Sequence, residues 1–131
     1  MEVKIPTDRP TWEGEIATYW FEGEILISLS KSIKRTVELI RGNVELVKDI
    51  AHSKPVPLLI YLKNSPVPDM ETQKFSREML PEIYTAMAMV SKPGLSRFIM
   101  NLLFSMSKPP IPMKSFTDAE KAKKWLKKVT K

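Results

Sequence analysis

The feature that most constrains the fold is the regular exchange between short apolar runs and longer amphipathic segments. Residues 57–62 form a continuous apolar run, which is typical of a strand buried on both faces of a parallel sheet. Before this run, residues 32–52 carry apolar side chains at steps of three and four, which predicts a helix with one face on a core. A buried strand beside an amphipathic helix indicates that helices cover the faces of a sheet.

The beginning and the end of the chain add further elements. Residues 14–29 alternate with period two and are rich in aromatic and β-branched side chains, and Gly23 interrupts them, which predicts a β-hairpin. Residues 113–116 predict a short edge strand. Thr117 is the predicted N-cap of a last helix, with Glu120 as its capping-box partner. The predicted inner face of that helix consists of Ala119, Ala122, Trp125, Leu126 and Val129.

The segment at residues 84–90 decides the topology. Its Ala and Met residues favour a helix by propensity, but its length of seven and the Ser-Lys-Pro-Gly that follows favour a buried strand, which we predict. Helices are predicted on either side of this strand. The first covers residues 69–80 and ends at Pro81, and the second covers residues 94–107.

These elements alternate along the chain. After the opening hairpin, helices and strands follow one another in turn, which is the pattern of crossover connections between parallel strands. The sequence therefore predicts a single α/β domain over residues 1–131. Its sheet is mixed and largely parallel, is flanked by helices and begins with an N-terminal β-hairpin.

Composition narrows the possible chemistry. The 131 residues include no Cys and a single His, His52, so thiolate metal sites, Cys nucleophiles and multi-histidine metal sites are excluded. His52 lies at the end of the first predicted helix, where a cation compensates the helix dipole. Glu13, Glu15, Glu22 and Glu24 alternate with core residues, which predicts that they face solvent. We therefore expect no enzymatic activity, no metal and no cofactor.

The termini and the charge distribution indicate a cytoplasmic protein with a basic end. The N-terminus lacks the apolar region of a signal peptide, and the longest charge-free stretch, residues 98–107, is too short to span a bilayer. Residues 91–131 carry ten basic and two acidic residues, a net charge of +8 within a chain of +6. This distribution indicates a solvated lysine-rich helix. The alternative is a nucleic-acid interface over residues 108–131.

The second half of the chain carries motifs that resemble a known group of proteins. Ala86-Met87-Ala88-Met89-Val90-Ser91 leads into Arg97 and residues 101–104, and residues 108–126 continue through Lys108-Pro109, Pro112, Phe116-Thr117-Asp118 and Trp125-Leu126. Together with the order of elements, these motifs resemble the STAS domain, the fold of the SpoIIAA-type anti-sigma factor antagonists, and most closely an uncharacterised bacterial STAS-like family. The specific part covers residues 84–126, and the first half matches only in element order.

The resemblance implies a non-enzymatic domain that binds partner proteins. Some STAS domains are switched by phosphorylation of a Ser or Thr that opens the helix after the buried strand, usually within an Asp-Ser-Ser or Asp-Ser-Thr run. The corresponding stretch here is Lys63-Asn64-Ser65-Pro66, which lacks the acidic residue. Ser65 is therefore a weak candidate for modification, and the alternative is an ordinary loop serine.

The best candidate for a ligand site is the Ser91-Lys92-Pro93-Gly94 segment with Arg97 one turn further on. Ligands of open α/β sheets gather at the carboxyl ends of strands, and helix N-termini attract anions. Ser91, Lys92, Gly94 and Arg97 are therefore candidate contacts for an anion or another ligand. The alternative is an ordinary helix start, in which Ser91 is the N-cap and Pro93 lies in the first turn.

A second candidate surface is the aromatic cluster of the hairpin. Four aromatic residues within ten positions cannot all point to one side of a strand, so we expect some of them to be exposed or to lie in a subunit interface. The candidate interface residues are Trp12, Tyr19, Trp20 and Phe21.

Three functional hypotheses follow. The first is a non-catalytic interaction or regulatory module that binds a protein partner or self-associates as a homodimer. The second is a carrier or sensor of a small anionic or lipid-like ligand, bound near residues 91–97 against a methionine-rich face. The third is nucleic-acid binding through the basic end of the chain.

Overall fold

The computed structural model describes residues 3–92 and 109–130. In this part of the chain, six strands form one sheet and three helices pack against it. The elements in chain order are β1 (Trp12–Glu13), β2 (Ala17–Glu22), β3 (Ile25–Ser30), α1 (Val37–Ile50), β4 (Val56–Tyr61), α2 (Met70–Ile83), β5 (Tyr84–Val90), β6 (Met113–Phe116) and α3 (Ala119–Val129).

The strands lie in the sheet in the order in which they occur along the chain. β1, β2 and β3 are antiparallel neighbours, and β3 to β6 are parallel. The β2–β3 hairpin has a two-residue loop, since Glu22 pairs with Ile25. Gly23, with φ of 60°, supplies the positive φ that the first position of a type II′ turn requires. The predicted hairpin and the mixed, largely parallel α/β sheet are both confirmed.

The predicted strand over residues 84–90 is confirmed with the same bounds. β5 pairs with β4 on one side and with β6 on the other. At its start the register shifts between Val56 and Pro57, and the side chain of Thr85 is exposed there. Beyond Thr85 every residue of the strand is buried, which explains why its sequence is apolar without alternation.

The sheet separates two apolar layers. One layer combines α1 and α2 with the side chains that point to their side of the sheet, and the other combines α3 with the side chains that point to the opposite side. On β5 the first layer receives Tyr84, Met87 and Met89, whereas the second receives Ala86, Ala88 and Val90. Large side chains therefore face the helix pair, and small side chains allow α3 to lie close to the sheet.

The first helix is shorter than predicted. It begins at Val37 and not at residue 32, because the hydroxyl of Thr36 accepts a hydrogen bond from Leu39 N at 3.2 Å and caps the helix. Residues 31–36 instead form a loop, and Ile33, predicted on the inner stripe, is 37% exposed. The stripe itself is confirmed further along, where Val44 and Val47 are buried.

The second helix passes through Pro81, which was predicted to end it. α2 continues to Ile83, and Tyr84 N donates to Leu80 O at the helix end. Pro81 lies in the last turn of the helix. Its missing N–H removes one helical hydrogen bond, but the hydrogen bond from Tyr84 N to Leu80 O still closes that turn. The two helices are linked by Lys48 and Glu82, with 3.1 Å between Nζ and Oε1.

The last helix is capped by Asp118 and not by the predicted Thr117. The Asp118 carboxylate accepts a hydrogen bond from Glu120 N at 2.8 Å. Ala122 and Leu126 are fully buried against the sheet, as predicted, and Trp125 packs on Phe116 with 5.8 Å between ring centroids. Val129 was predicted on the inner face but is 40% exposed. The helix predicted at residues 94–107 lies outside the described residues.

The connection from α1 to β4 contains two consecutive non-glycine residues in the left-handed region. His52 has φ of 54° and Ser53 has φ of 61°. Ser53 N donates to Lys48 O and His52 N to Asp49 O, which is the Schellman arrangement of a helix C-terminus. His52 thus occupies the position that glycine usually takes.

We therefore expect His52→Gly to stabilise the protein. Glycine removes the steric cost of a left-handed histidine, and a greater loss of backbone entropy on folding offsets part of this gain. The net increase in the free energy of unfolding is about 1 kcal/mol or less, measured by urea denaturation. A loss of stability would contradict the assigned backbone conformation.

The small side chains of β5 generate a second prediction. Ala88 is fully buried beneath α3, so Ala88→Leu should reduce the free energy of unfolding by about 1–3 kcal/mol through overpacking. Thr85→Leu is the control, since Thr85 is exposed on the same strand. Equal effects of the two substitutions in urea denaturation would show that α3 does not lie over Ala88.

Candidate functional site

The parallel strands bring several connections to one edge of the sheet. The carboxyl ends of β3, β4 and β5 lie side by side, because the three strands are parallel neighbours. The loops at residues 31–36 and 62–69 therefore start from the same edge as Ser91 and Lys92, which follow β5. Ligands and partners of open α/β sheets commonly bind at this edge.

Three large apolar side chains are exposed at or next to this edge. Ile33 is 37% exposed in the loop after β3, and Val67 is 46% exposed in the loop after β4. Met70, the first residue of α2, is 75% exposed. We refer to Ile33, Val67 and Met70 together as the apolar edge. The topology puts all three at the same edge of the sheet, and exposed apolar surface in one region is typical of interaction sites.

The structure describes two of the four residues predicted to contact a ligand. Ser91 is buried, its N–H donates to Phe116 O at 3.1 Å, and its hydroxyl donates to Lys92 O at 3.1 Å. The Ser91 hydroxyl is therefore bonded to the backbone of the next residue. Lys92 is exposed beside it. Gly94 and Arg97 lie outside the described residues, so the predicted group of four stays a prediction.

A cleft of about 590 Å³ opens at the carboxyl ends of β4 and β5. Tyr61 and Val90, the last residues of these strands, form one wall. The start of α3 and the N-terminal segment form the rest, through Thr117, Asp118, Ala119, Val3 and Lys4. The cleft therefore lies at the predicted edge of the sheet but is lined by residues other than those the sequence indicated.

Tyr61 is the polar residue that β4 contributes to this cleft. Burial raises the pKa of the Tyr61 phenol, and the nearby Lys123 ammonium partly opposes that effect. Lys123 is 2.6 Å from a Glu22 carboxylate oxygen. Burial acts against the Lys123 charge, but the hydrogen bond to Glu22 and the neighbouring carboxylates raise the pKa of Lys123. The Lys123–Glu22 pair thus joins α3 to β2 beside the cleft.

Ser65 lies in the loop and does not open α2. The helix starts five residues later, at Met70, and its N-cap is Asp69, whose carboxylate accepts a hydrogen bond from Thr72 N at 2.8 Å. The same bond lowers the pKa of Asp69. An acidic side chain thus already occupies the helix N-terminus, and the modification of Ser65 stays a prediction.

The hairpin aromatics are largely inside the molecule. Tyr19 is 2% exposed and Trp20 is 3% exposed, and they point to opposite layers of the core. Trp12 and Phe21 are half-buried and pack edge to face, with 6.3 Å between centroids. The expectation of an aromatic surface is corrected for Tyr19 and Trp20, because Tyr19 is buried in the layer of α1 and α2 and Trp20 in the layer of α3.

One polar cluster in the core was not predicted from the sequence. The Tyr19 hydroxyl donates to Asn43 Oδ1 at 2.6 Å, and Tyr84 and Ser28 complete the group. Burial raises the pKa of Tyr19, and it raises the pKa of Tyr84 further, with Tyr19 adding to the effect. The four residues come from β2, β3, α1 and β5, so sequence spacing gave no signal for their contact.

Arg35 connects the loop after β3 to the turn before β2 through hydrogen bonds. Its guanidinium donates to Lys31 O, Ile33 O, Ile16 O and Ser30 Oγ, at distances between 2.6 and 3.2 Å. Burial lowers the pKa of Arg35. Among residues 3–92 and 109–130, no carboxylate forms an ion pair with it. Carbonyl oxygens thus hold this cation in place.

The basic end of the chain is mostly solvated. Lys121, Lys124, Lys127 and Lys128 are exposed on α3, and Lys114 lies over the Phe116 ring at 5.6 Å. The nucleic-acid interface over residues 108–131 stays a prediction. Within residues 3–92 and 109–130, no helix has the length and apolarity to span a membrane, and no group of three metal-binding side chains occurs.

This arrangement of strands and helices defines a SpoIIAA-like fold. The crystal structure of an uncharacterized protein from the DUF3478 family of Shewanella loihica PV-4, described as having that fold, is similar to this chain with a TM-score of 0.56 and 15% identity. The alignment covers 96% of this chain and 98% of the other. The predicted STAS and SpoIIAA-like fold is therefore confirmed.

The sequence then identifies the family. Residues 19–130 match the domain of unknown function DUF7793, and the chain belongs to this family. No curated protein matches the sequence.

The buried tyrosines predict a loss of stability at alkaline pH. In the unfolded chain a tyrosine ionises near pH 10, whereas the fold keeps Tyr19 and Tyr84 neutral to higher pH. Their contribution is therefore complete below about pH 10 and is lost as the pH rises towards their folded-state pKa values. We expect the free energy of unfolding, measured in urea, to fall over that range. Tyr84→Phe should make this decrease in the free energy of unfolding smaller. Identical pH profiles for the two proteins would contradict the assignment of the decrease to the buried tyrosines.

Proposed function

We propose that the protein is a non-catalytic interaction module that binds a protein partner through the apolar edge, in the cytoplasm. The partner is a second copy of the chain or another protein with a complementary apolar surface. The observation that carries this proposal is the exposure of Ile33, Val67 and Met70 at one edge of the sheet.

The position of these side chains supports binding. They lie at or beside loops that follow parallel strands, and these strands are hydrogen-bonded to a neighbouring strand on both sides. A binding surface on a rigid scaffold loses little conformational entropy when a partner docks. Met70 adds an unbranched, polarisable side chain, which can adapt to different apolar partners.

The chemistry of the titratable groups supports a non-catalytic role. Tyr19 and Tyr84, which burial perturbs most clearly, are paired with each other and with Asn43 inside the core. The single histidine, His52, is exposed in the turn after α1. Neither arrangement presents a nucleophile with an adjacent base to a substrate.

A second candidate function rests on the cleft at the ends of β4 and β5. Its volume of about 590 Å³ is suitable for a small ligand, and its lining combines Val3 and Val90 with Lys4 and Tyr61. The Lys4 ammonium and the Tyr61 phenol beside apolar walls fit an anionic or lipid-like molecule, and the Asp118 carboxylate of the lining is engaged by Glu120 N. This is the carrier or sensor hypothesis. Its ligand would lie between the N-terminal segment and α3, and not beside residues 91–97 as the sequence predicts.

The leading proposal is tested by photo-crosslinking in the host cell. With a photoreactive phenylalanine at position 70, we expect a defined protein, a second copy or another chain, to be captured and identified by mass spectrometry. The same group at position 129 is the control, since Val129 is exposed on α3 and away from the apolar edge. Equal capture at both positions, or none at position 70, would refute the proposal.

A substitution at the apolar edge distinguishes an effect on partner binding from an effect on stability. Val67→Asp should leave the free energy of unfolding within about 0.5 kcal/mol, because the side chain is exposed. It should also abolish the crosslinked product at position 70. A product of unchanged yield would show that Val67 does not contact the partner.

The second candidate is tested with the amphiphilic anion 1-anilino-8-naphthalenesulfonate as a probe. Fluorescence titration should show saturable binding, weakened by Lys4→Glu through charge reversal and by Tyr61→Ala through loss of a wall. Lys127→Glu is the matched control on the outer face of α3. Binding that responds as strongly to Lys127→Glu as to Lys4→Glu, and not at all to Tyr61→Ala, would assign the probe to general surface charge and exclude the cleft.

A further inference from the structure

The loops around the apolar edge carry an excess of positive charge. Residues 31–36, 62–69 and 91–92, which follow β3, β4 and β5, contain five basic residues and one acidic residue. The basic residues are Lys31, Lys34, Arg35, Lys63 and Lys92. Because the three strands are parallel neighbours, these charges lie at the same edge of the sheet as the exposed apolar side chains.

Two of the five cations are engaged inside the molecule. Lys31 Nζ is 2.8 Å from Gly14 O and 3.3 Å from a Glu13 carboxylate oxygen. The Arg35 guanidinium donates to Ile16 O at 3.1 Å and to three other oxygens of the chain. Gly14 and Ile16 also line a cavity of about 300 Å³ between α1 and the turn that joins β1 to β2. Lys31 and Arg35 therefore hold this turn, and we do not count them as contacts for a partner.

The other three cations face solvent. Lys34, Lys63 and Lys92, which we call the edge lysines, are all exposed. Among residues 3–92 and 109–130, no carboxylate forms an ion pair with any of them. One edge lysine follows each of the three parallel strands. Their ammonium groups are thus available to a partner along the whole edge.

The carboxylates next to the edge are held by helix starts. Asp69, the acidic residue of these loops, caps α2 by accepting a hydrogen bond from Thr72 N at 2.8 Å. That bond lowers the pKa of Asp69, and attraction to Lys34 adds to the effect, so the loop after β3 lies near the start of α2. Glu38 and Glu71 lie in the first turns of α1 and α2, where the helix N–H groups offset their charge. The balance at the edge therefore stays positive.

We propose that the partner of the apolar edge is a different protein with an acidic segment, in which carboxylates flank apolar side chains. This inference rests on the proposed function and specifies its partner. The apolar side chains of the segment pack on the apolar edge, and its carboxylates pair with the edge lysines. Complementary charges around an apolar contact speed association and select the partner.

Three other occupants fit this surface less well. A second copy related by a two-fold axis places the same edge opposite itself, so that the edge lysines repel one another. Basic segments that recognise anionic membranes typically contain about four to eight Lys and Arg residues, more than the three that are available here. Nucleic-acid surfaces rely on arginine and stacked aromatic side chains, whereas the three loops contain no aromatic residue and their arginine is turned inward.

The experiment repeats the photo-crosslinking at position 70 in a charge-reversed protein. Lys34→Glu with Lys63→Glu should lower the yield of the crosslinked product by roughly two- to fivefold for each lysine. Lys124→Glu with Lys127→Glu is the matched control, since it changes the net charge equally at exposed positions of α3. The control should leave the yield unchanged. Both double variants should unfold at the urea midpoint of the parent, because all four side chains are exposed.

The captured chain gives the second readout. We expect a protein other than this one, and mass spectrometry should show that its crosslinked segment contains more Asp and Glu than Lys and Arg. Capture of a second copy, a segment without acidic excess, or equal yields in the two double variants would overturn the acidic partner and leave the apolar edge as a binding surface. No product at position 70 in the parent would refute both proposals.

Sedimentation with phosphatidylglycerol vesicles tests the membrane as an alternative. We expect the parent to stay in the supernatant. Co-sedimentation that is lost in Lys34→Glu with Lys63→Glu and kept in the α3 control would assign the edge to an anionic membrane and overturn the acidic partner.

Discussion

The structure depends on the burial of β5 between two layers of helices. The residues of this strand divide by size, with Tyr84, Met87 and Met89 towards α1 and α2, and Ala86 and Ala88 towards α3. Small side chains let α3 approach, so that Ala122 and Leu126 are completely covered. An extended β5 also provides pairing edges for both β4 and β6, which joins the first part of the sheet to its last strand.

Parallel pairing has a direct consequence for function. Because β3, β4 and β5 run in the same direction, the loops that follow them converge on one edge, whatever their sequences are. The chain places exposed apolar side chains at or beside two of these loops and a cleft at the ends of β4 and β5. The core below is closely packed, which leaves the loops and helix ends as the variable part of the fold.

Periodic apolar patterns were sufficient to predict most of the architecture. The strand over residues 84–90 was predicted with its observed bounds, because a short apolar run beside Pro and Gly has few other solutions. The positions of the helix ends were predicted less accurately. Thr36 and Asp118 fix the starts of α1 and α3 through single side-chain hydrogen bonds, and a stripe of apolar residues does not reveal which of several polar neighbours forms the cap.

The sites were harder to predict than the fold. The Ser91 hydroxyl, a predicted ligand contact, donates to the carbonyl of Lys92, and Gly94 and Arg97 lie outside the described residues, so this site stays a prediction. The four hairpin aromatics were interface candidates because they cannot all point to one side of a strand, yet Tyr19 and Trp20 are both buried, in opposite layers of the core. The cavity between α1 and the turn that joins β1 to β2 is lined by Ile16 and Leu39, which lie more than twenty positions apart in the sequence. Such contacts follow from tertiary packing and leave no periodic signal.

Native-state hydrogen exchange tests the central claim most directly. If β5 is enclosed on both faces and paired on both edges, its backbone amides exchange only when the whole domain unfolds. Their free energy of exchange should equal that of global unfolding in urea, whereas the amides of the two-residue strand β1 should exchange through much smaller openings. Exchange of the β5 amides at a free energy well below that of α1 would contradict the account.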